Sequence, residues 1–330
     1  MSPSPAAPSH TRTPIPFRRK GVYQAMPEKT FLLGTHAAGH RIAILGVPYD
    51  SATSIGRPGA RYAPERIRAA LRWNLNRVRG NAFFDVEAGG IVRLDDYAIV
   101  DHGDTPVFGD DHLATLDQAR MLMQEALESG AFPISLGGDH AVSTPLLKAF
   151  HDHFQGPLGI IHVDAHLDLV EENPRQGRHS GSSPMRRALE MGRFQPHNLV
   201  QVGVRGFNYP DQFEYIASQG IHHITASKVH AIGGQAAAEQ ALELASAGGA
   251  KVYLTFDMDS LDYAGAPGTG ADEAGGLTSA QILQFMRIAA PKVDAMDIVE
   301  VNPMVDQQDA TSGLAAQIIF TVISARVGLS

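Results

Sequence analysis

From Arg41 onward, short uninterrupted apolar runs alternate with longer stretches whose apolar positions recur every three or four residues. The runs 42–47, 132–136, 158–163, 199–204, 252–256 and 295–301 lack polar alternation, the pattern of strands covered on both faces of a parallel sheet. Between them, 63–73, 113–129, 143–153, 184–191, 236–247, 279–289 and 310–325 read as amphipathic helices. Strand and helix in alternation predict an α/β fold, a three-layer sandwich with a single mostly parallel central sheet and helices on both faces. No linker or fixed-period repeat interrupts this pattern, so residues 36–330 are expected to form one domain. Residues 1–35 read as an extended arm: the first 20 carry Pro3, Pro5, Pro8, Pro14 and Pro16 with Arg12, Arg18, Arg19 and Lys20 but no acid. Such an arm is expected to be disordered or laid over a neighbouring subunit.

Composition narrows the chemistry. Of 330 residues, 27 are Lys or Arg and 35 Asp or Glu, so the net charge of −8 has the wrong sign for broad phosphate binding, and no nucleic-acid partner is expected. No run of 18 consecutive apolar residues occurs and the first 20 lack an apolar leader, so neither a membrane span nor export is expected, and the chain is expected to be cytoplasmic. The absence of cysteine excludes disulfides, thiolate metal sites and a cysteine nucleophile. With 15 histidines and no thiol, a metal site must use imidazole and carboxylate.

In open α/β sheets, functional residues gather at the carboxyl ends of the strands. The run 132–136 leads into Gly137-Gly138-Asp139-His140, where the glycines permit a tight turn. The run 158–163 leads into Asp164-Ala165-His166-Leu167-Asp168, whose alternate residues share a face of an extended chain. The run 252–256 leads into Asp257-Met258-Asp259, followed by Asp262, and 295–301 contains Glu300 before Asn302 and Pro303. A lone Asp or His after a strand is commonly a cap or a turn residue. Five carboxylates on one rim (Asp164, Asp168, Asp257, Asp259 and Glu300) are different, because they repel one another unless cations sit among them. Two divalent ions meet that need, and mixed His and carboxylate ligands suit Mn²⁺, Zn²⁺, Ni²⁺ or Co²⁺.

In order and spacing these motifs resemble the signatures of the ureohydrolase family, which includes arginase and agmatinase. Gly46-Val47-Pro48-Tyr49-Asp50, the Arg-Pro-Gly-Ala-Arg-Tyr-Ala-Pro stretch at 57–64, the Ala-Pro-Gly-Thr-Gly stretch at 266–270, Gly275-Gly276-Leu277 and residues 311–316 extend the likeness over about 40–326. The segments look more like the agmatinase branch than like arginase. The resemblance implies an arginase-like fold in which His140, Asp164, Asp168 and Asp257 bind one ion and Asp164, His166, Asp257 and Asp259 the other. Asp164 and Asp257 would bridge, and the ions would be Mn²⁺ or Ni²⁺. It implies a hydrolase acting on C–N bonds in linear amidines: agmatine, a guanidino acid, guanidine, or an alkylated guanidine or biguanide would yield urea or a substituted urea such as guanylurea, plus an amine. Asp168 would orient the attacking water and take its proton, and Glu300 would pair with the planar guanidinium. The family's assembly implies a homo-oligomer, trimer or hexamer, or a hetero-oligomer with a paralogous subunit.

One segment departs from the pattern. Most ureohydrolases carry a His-Gly or His-Ala pair shortly before a Pro and an Arg-Arg helix, and that histidine is usually read as a proton shuttle. Here Gly177-Arg178-His179-Ser180-Gly181-Ser182-Ser183-Pro184-Met185-Arg186-Arg187 puts Gly181 at that place. Either His179 swings in as the catalytic shuttle, or Ser180, Ser182 and Ser183 bind an altered substrate, or His179 is a solvated loop residue. Ser180-Gly181 also resembles members acting on formimidoyl substrates, so the alternatives are a formimidoyl-amide hydrolase and a low-activity structural subunit. His222 and His223 read as core or surface histidines.

Overall fold

The computed structural model describes residues 29–36, 38–53 and 57–330. In chain order these form β1 (Thr30–Gly34), β2 (His40–Gly46), α1 (Ala63–Leu75), β3 (Ala82–Asp85), β4 (Gly90–Arg93), β5 (Tyr97–Asp104), α2 (His112–Glu128), β6 (Phe132–Leu136), α3 (Ser143–His153) and β7 (Leu158–Val163). There follow α4 (Pro184–Glu190), β8 (Phe194–Val202), α5 (Pro210–Gln219), β9 (His222–Ile224), α6 (Ala226–Ala245), β10 (Lys251–Asp257), α7 (Ser279–Ala289), β11 (Ala295–Val299) and α8 (Ala310–Val327). Nine strands make one sheet in the order β1-β5-β2-β6-β11-β10-β7-β8-β9, and β3 and β4 pair as a separate hairpin. Within the sheet, β1 is antiparallel to β5 and every other pairing is parallel.

Side-chain alternation divides the core into two layers, as the period of two requires. Ile42, Ile44, Ile161, Val163, Leu254 and Phe256 pack on the face that carries α1, α6, α7 and α8, whereas Ala43, Leu45, Leu158, Ile160 and Tyr253 face α2, α3 and α4. Because both faces are covered, the central strands are apolar at nearly every position. Among the described residues, α8 is the one helix long and apolar enough to cross a membrane. It packs against α1 and α7 and is 61% buried, the behaviour of a core helix.

The departures from the expected boundaries have local causes. The arm lies outside the described residues up to position 28; its last part, expected to be arm as far as 35, instead adds an edge strand at Thr30–Gly34. The strand expected over 199–204 starts earlier, at Phe194, and stops at Val202, because Gly203 turns to φ 95. The strand expected over 295–301 stops at Val299, because Glu300 is left-handed at φ 61. The helix expected over 236–247 begins ten residues earlier at Ala226, interrupted by a kink at Gly233 (φ 84, ψ 164), so only its second half shows the helical pattern.

Beyond that kink, α6 meets α7 at close range. A Cβ on Gly234 would lie 2.0 Å from the Gln281 carbonyl oxygen. Replacing an ordinary helix glycine by alanine stabilises by about 1 kcal/mol. At Gly234 the sign reverses, because the added methyl meets backbone that cannot swing aside. Gly234→Ala is therefore expected to lower the thermal midpoint, and a raised midpoint in a calorimetric scan contradicts this packing.

Candidate metal centre

The strands β6, β11, β10 and β7 are neighbours at the middle of the sheet and run parallel, so their carboxyl ends share one edge. Motifs more than 100 residues apart in sequence meet there. After β6 the chain turns against the Tyr49 segment, where the Asp139 N–H donates to the Tyr49 carbonyl at 2.8 Å. Only glycine fits at 138, since a Cβ would sit 1.5 Å from the Tyr49 oxygen. That turn delivers His140. Its Nδ1 lies 2.9 Å from Asp168 Oδ2, 3.0 Å from Asp257 Oδ2 and 3.1 Å from Asp164 Oδ2. A second group adjoins it, with His166 Nδ1 3.1 Å from Asp259 Oδ2 and 3.4 Å from Asp164 Oδ1. Asp164 belongs to both groups through its two oxygens. Asp257 joins the first, and its Oδ1 accepts the Asp259 N–H at 2.8 Å.

Hydrogen-bond accounting shows what this set fits. Thr255 has one hydroxyl hydrogen, which goes to the buried Asp297 Oδ1 at 2.6 Å. The Thr255 oxygen, 2.9 Å from His140 Nε2, must therefore accept from that nitrogen. Nε2 thus carries a proton, so in the neutral ring Nδ1 turns its lone pair toward three carboxylate oxygens. Nδ1 is accordingly a buried atom with no hydrogen-bond partner. Acceptors facing acceptors is the arrangement of a cation site, and the donors are those of a mixed imidazole and carboxylate centre.

The electrostatics point the same way. Burial, with Asp259 and Asp164 beside it, pushes the Asp257 carboxyl well above the usual range. Burial and the Asp164 charge likewise raise Asp259, against the pull of His166. Burial opposes charge on His166, yet Asp259 and Asp164 raise its basicity far above that of a free imidazole. Carboxyls driven toward neutrality beside imidazoles driven toward charge are groups competing for too little positive charge.

Glu300 completes the rim. Its Oε1 accepts the His140 N–H at 2.9 Å, and its own N–H donates to the Gly138 carbonyl at 2.9 Å. Burial and the neighbouring Asp139 push its carboxyl up to about 8. Glu300 and Asp168 both hold left-handed backbone (φ 61 and 51). That conformation costs of order 1 kcal/mol or more for a non-glycine residue, and such residues concentrate at functional sites. At Asp168 it is fixed by the N-terminal amides of α4, Met185 and Arg186, which donate to the Asp168 carbonyl at 3.1 and 3.3 Å.

All six expected ligands and Glu300 therefore come together. His179 does not. It is exposed and lines a separate cavity of about 400 Å³ with Leu113, Arg120, Lys148, Arg187 and Met191, none of them an expected ligand. The Arg178 carbonyl accepts from Ser183 Oγ at 2.8 Å and from Arg187 Nη1 at 3.1 Å, and the Arg178 guanidinium pairs with Glu190 at 2.8 Å. These bonds fix the loop on α4 with His179 outward. Partial burial and the Arg187 and Arg178 charges push the His179 pKa down. Ser180 and Ser183 are buried and bonded within the loop (Ser180 N–H to Ser183 Oγ, 3.1 Å; Ser180 Oγ to Ser182 Oγ, 3.0 Å), leaving Ser182 half-buried. Gly181 is buried, its N–H on the Ala52 carbonyl at 2.9 Å.

Sequence reasoning missed two neighbours of the site. Asp139 reads as part of a turn, but its carboxylate is buried, accepting the N–H groups of Ala52 at 2.7 Å and Ala141 at 3.1 Å. His162 lies inside an apolar run with nothing to mark it, yet its Nε2 is 2.7 Å from Asp164 Oδ2. Asp262 is no ligand: it accepts the Ala264 and Gly275 N–H groups in a turn.

Comparison with known proteins agrees with this geometry. The arginase family model, described as "Arginase family", matches residues 40–324. Guanidinopropionase of Pseudomonas aeruginosa is 33% identical over 293 residues, 88% of this chain and 87% of the relative. The crystal structure of a hypothetical agmatinase from Burkholderia thailandensis superposes with TM-score 0.75 at 33% identity, covering 88% of this chain and 87% of that one. Trypanosoma cruzi formiminoglutamase with Mn²⁺ gives TM-score 0.76 at 27% identity, covering 88% and 95%. A buried lone pair facing three carboxylates, the strand order that assembles it, and likeness over nearly the whole chain lead to one conclusion: this chain belongs to the arginase family, in its agmatinase-like branch.

Proposed function

We propose that the chain hydrolyses a C–N bond of a guanidino substrate, releasing urea or a substituted urea plus an amine. The observation that carries this reading is Glu300, a buried carboxylate held beside the His and Asp cluster by the His140 N–H. A carboxylate in a desolvated setting pairs strongly with a planar cation through two parallel hydrogen bonds. Relatives named guanidinopropionase, agmatinase and guanidino acid hydrolase support a guanidino group as the reacting end.

His140, Asp164, Asp168 and Asp257 would hold one divalent ion and Asp164, His166, Asp257 and Asp259 the other, as Mn²⁺ or Ni²⁺. When bound, such ions act as Lewis acids and lower the pKa of water to near neutrality. Asp168 orients the attacking water and accepts its proton. Glu300, whose carboxyl burial pushes up to about 8, is drawn back to its ionised form by the substrate's positive charge and holds the guanidinium carbon over that water. Half-buried Ser182 is the loop hydroxyl open to substrate, whereas Ser180 and Ser183 shape the loop. A homo-oligomer, trimer or hexamer, is supported by the exposed Trp73, Phe207, Tyr209 and Phe213, apolar surface that assembly would cover. The alternative of formimidoyl-amide hydrolysis is favoured by Ser180-Gly181 and by the likeness to a formiminoglutamase. A panel of guanidino and formimidoyl substrates scored for urea and formamide decides between them, and turnover by neither leaves a structural subunit.

Metal analysis of replete protein is expected to give about two ions per chain, and chelation to lower the thermal midpoint, because the ions bind only the folded state. Zero or one ion per chain removes the binuclear site. Glu300→Gln is expected to keep its metal and lose roughly 10- to 100-fold in kcat/KM, the worth of one charge-assisted hydrogen bond. Unchanged kinetics takes Glu300 out of the substrate site. His179→Ala is expected to retain turnover within about threefold, since a lost general acid would cost roughly a hundredfold or more. A drop of that size returns His179 to the shuttle role.

A further inference from the structure

We infer that His162, locked in one tautomer by Gln201, positions the shared carboxylate Asp164 and is not a metal ligand. This rests on the metal-hydrolase reading above. By proximity alone His162 looks like a ligand, since His140, His162, Asp164 and Asp168 offer donor atoms within 4.8 Å of one another. The hydrogen bonds say otherwise.

His162 (β7), Gln201 (β8) and His223 (β9) are register partners across three adjacent strands, so they stand in one line across the sheet. The side-chain nitrogen of Gln201 is 2.6 Å from the Leu167 carbonyl oxygen. That oxygen can only accept, so the amide end facing it must be the NH₂ group. The second hydrogen of the same NH₂ points to His162 Nδ1 at 2.8 Å. The Gln201 oxygen, at the other end, accepts from His223 Nε2 at 3.0 Å, which fixes the amide from the surface side. His162 Nδ1 is therefore an acceptor and its ring hydrogen sits on Nε2, which donates to Asp164 Oδ2 at 2.7 Å. The nitrogen nearest the cluster has no lone pair to give an ion.

The bond instead orients Asp164. Its Oδ2 accepts from His162, and its Oδ1 accepts the His166 N–H at 2.6 Å. Each oxygen of this carboxylate, whose two oxygens face the two groups, is thus tied once, leaving each a lone pair for an ion. A carboxylate free to rotate would lose that two-sided aim. Groups that hold metal ligands in this way typically change metal affinity by about 10- to 100-fold when removed.

Neutron diffraction from the full-length, Mn²⁺-loaded protein is expected to place a deuteron on His162 Nε2 and none on Nδ1. Mn²⁺ titration against a competing chelator is expected to show affinity weakened about 10- to 100-fold in His162→Phe. In His162→Gln, whose amide returns a donor toward Asp164, affinity recovers to within about tenfold of the parent, a rescue that bulk packing alone would not give. A bare Nε2 pointing at an ion, or parental affinity in folded His162→Phe, overturns the inference. Should His162→Phe fail to fold, the neutron measurement on the parent still decides it. Neither readout is turnover, so a chain that meets both and hydrolyses nothing overturns the guanidinase reading alone.

Discussion

The structure depends on the mutual repulsion of acids buried on one rim. Asp164, Asp257 and Asp259 are shut away from water within a few Å of the imidazole of His140 or His166, with the buried Glu300 beside them on the His140 N–H, and such a set is stable only with compensating positive charge. The fold follows from the need to assemble that set rigidly. Parallel strands put four carboxyl ends side by side, and crossover helices keep both faces dry. The strand order β6-β11-β10-β7 puts the turns that carry the cluster and Glu300 side by side. Bound ions would thus offset the cost of burying the acids.

Holding acids in place without letting them relax apart needs backbone constraint as well as packing. Asp168 and Glu300 are kept left-handed, one under the first amides of α4 and the other against the Gly138 carbonyl. Asp168 is therefore coupled to a helix that carries no expected ligand, and Glu300 to the turn that delivers His140. Disturbing α4 moves Asp168, and filling the gap beside Gly138 moves both His140 and Glu300, because the Glu300 carboxylate is bound to the His140 amide. The rim behaves as one mechanical unit, which is why its geometry is the same thing as its chemistry.

The residues of the cluster were legible in sequence because they lie just after apolar runs, where the period of two and the carboxyl-edge rule both apply. The runs 132–136 and 158–163 have the bounds of β6 and β7. What escaped was decided by tertiary contact. The first half of β8 is polar and contains Pro196, β9 has three residues, and the first half of α6 is hidden by the break at Gly233. His162 occupies an ordinary core position whose meaning comes from Gln201, nearly forty residues on and one strand over. His179 misled for the opposite reason. Its identity and spacing suit a shuttle, but the Arg178 carbonyl bonds that turn it outward have no signature in sequence.

That outward turn bears on how the reaction disposes of protons. With Gly181 at the place of the family's usual histidine, the loop presents the Tyr49–Thr53 side with a backbone N–H already held by Ala52, and no titratable group. On the proposed reaction, one proton leaves the attacking water and one must reach the departing amine. Among the described residues of the rim, Asp168 stands next to the first event, and it is anchored by α4, so it stays in place between steps. A base that cannot move away after taking a proton is also the nearest acid when the C–N bond breaks. On the proposed reaction, glycine at 181 would therefore not by itself remove the means of turnover. On that reaction both proton transfers would fall to a single carboxylate, and the loop, fixed on α4, would offer its half-buried Ser182 to the substrate rather than a group to the proton transfers.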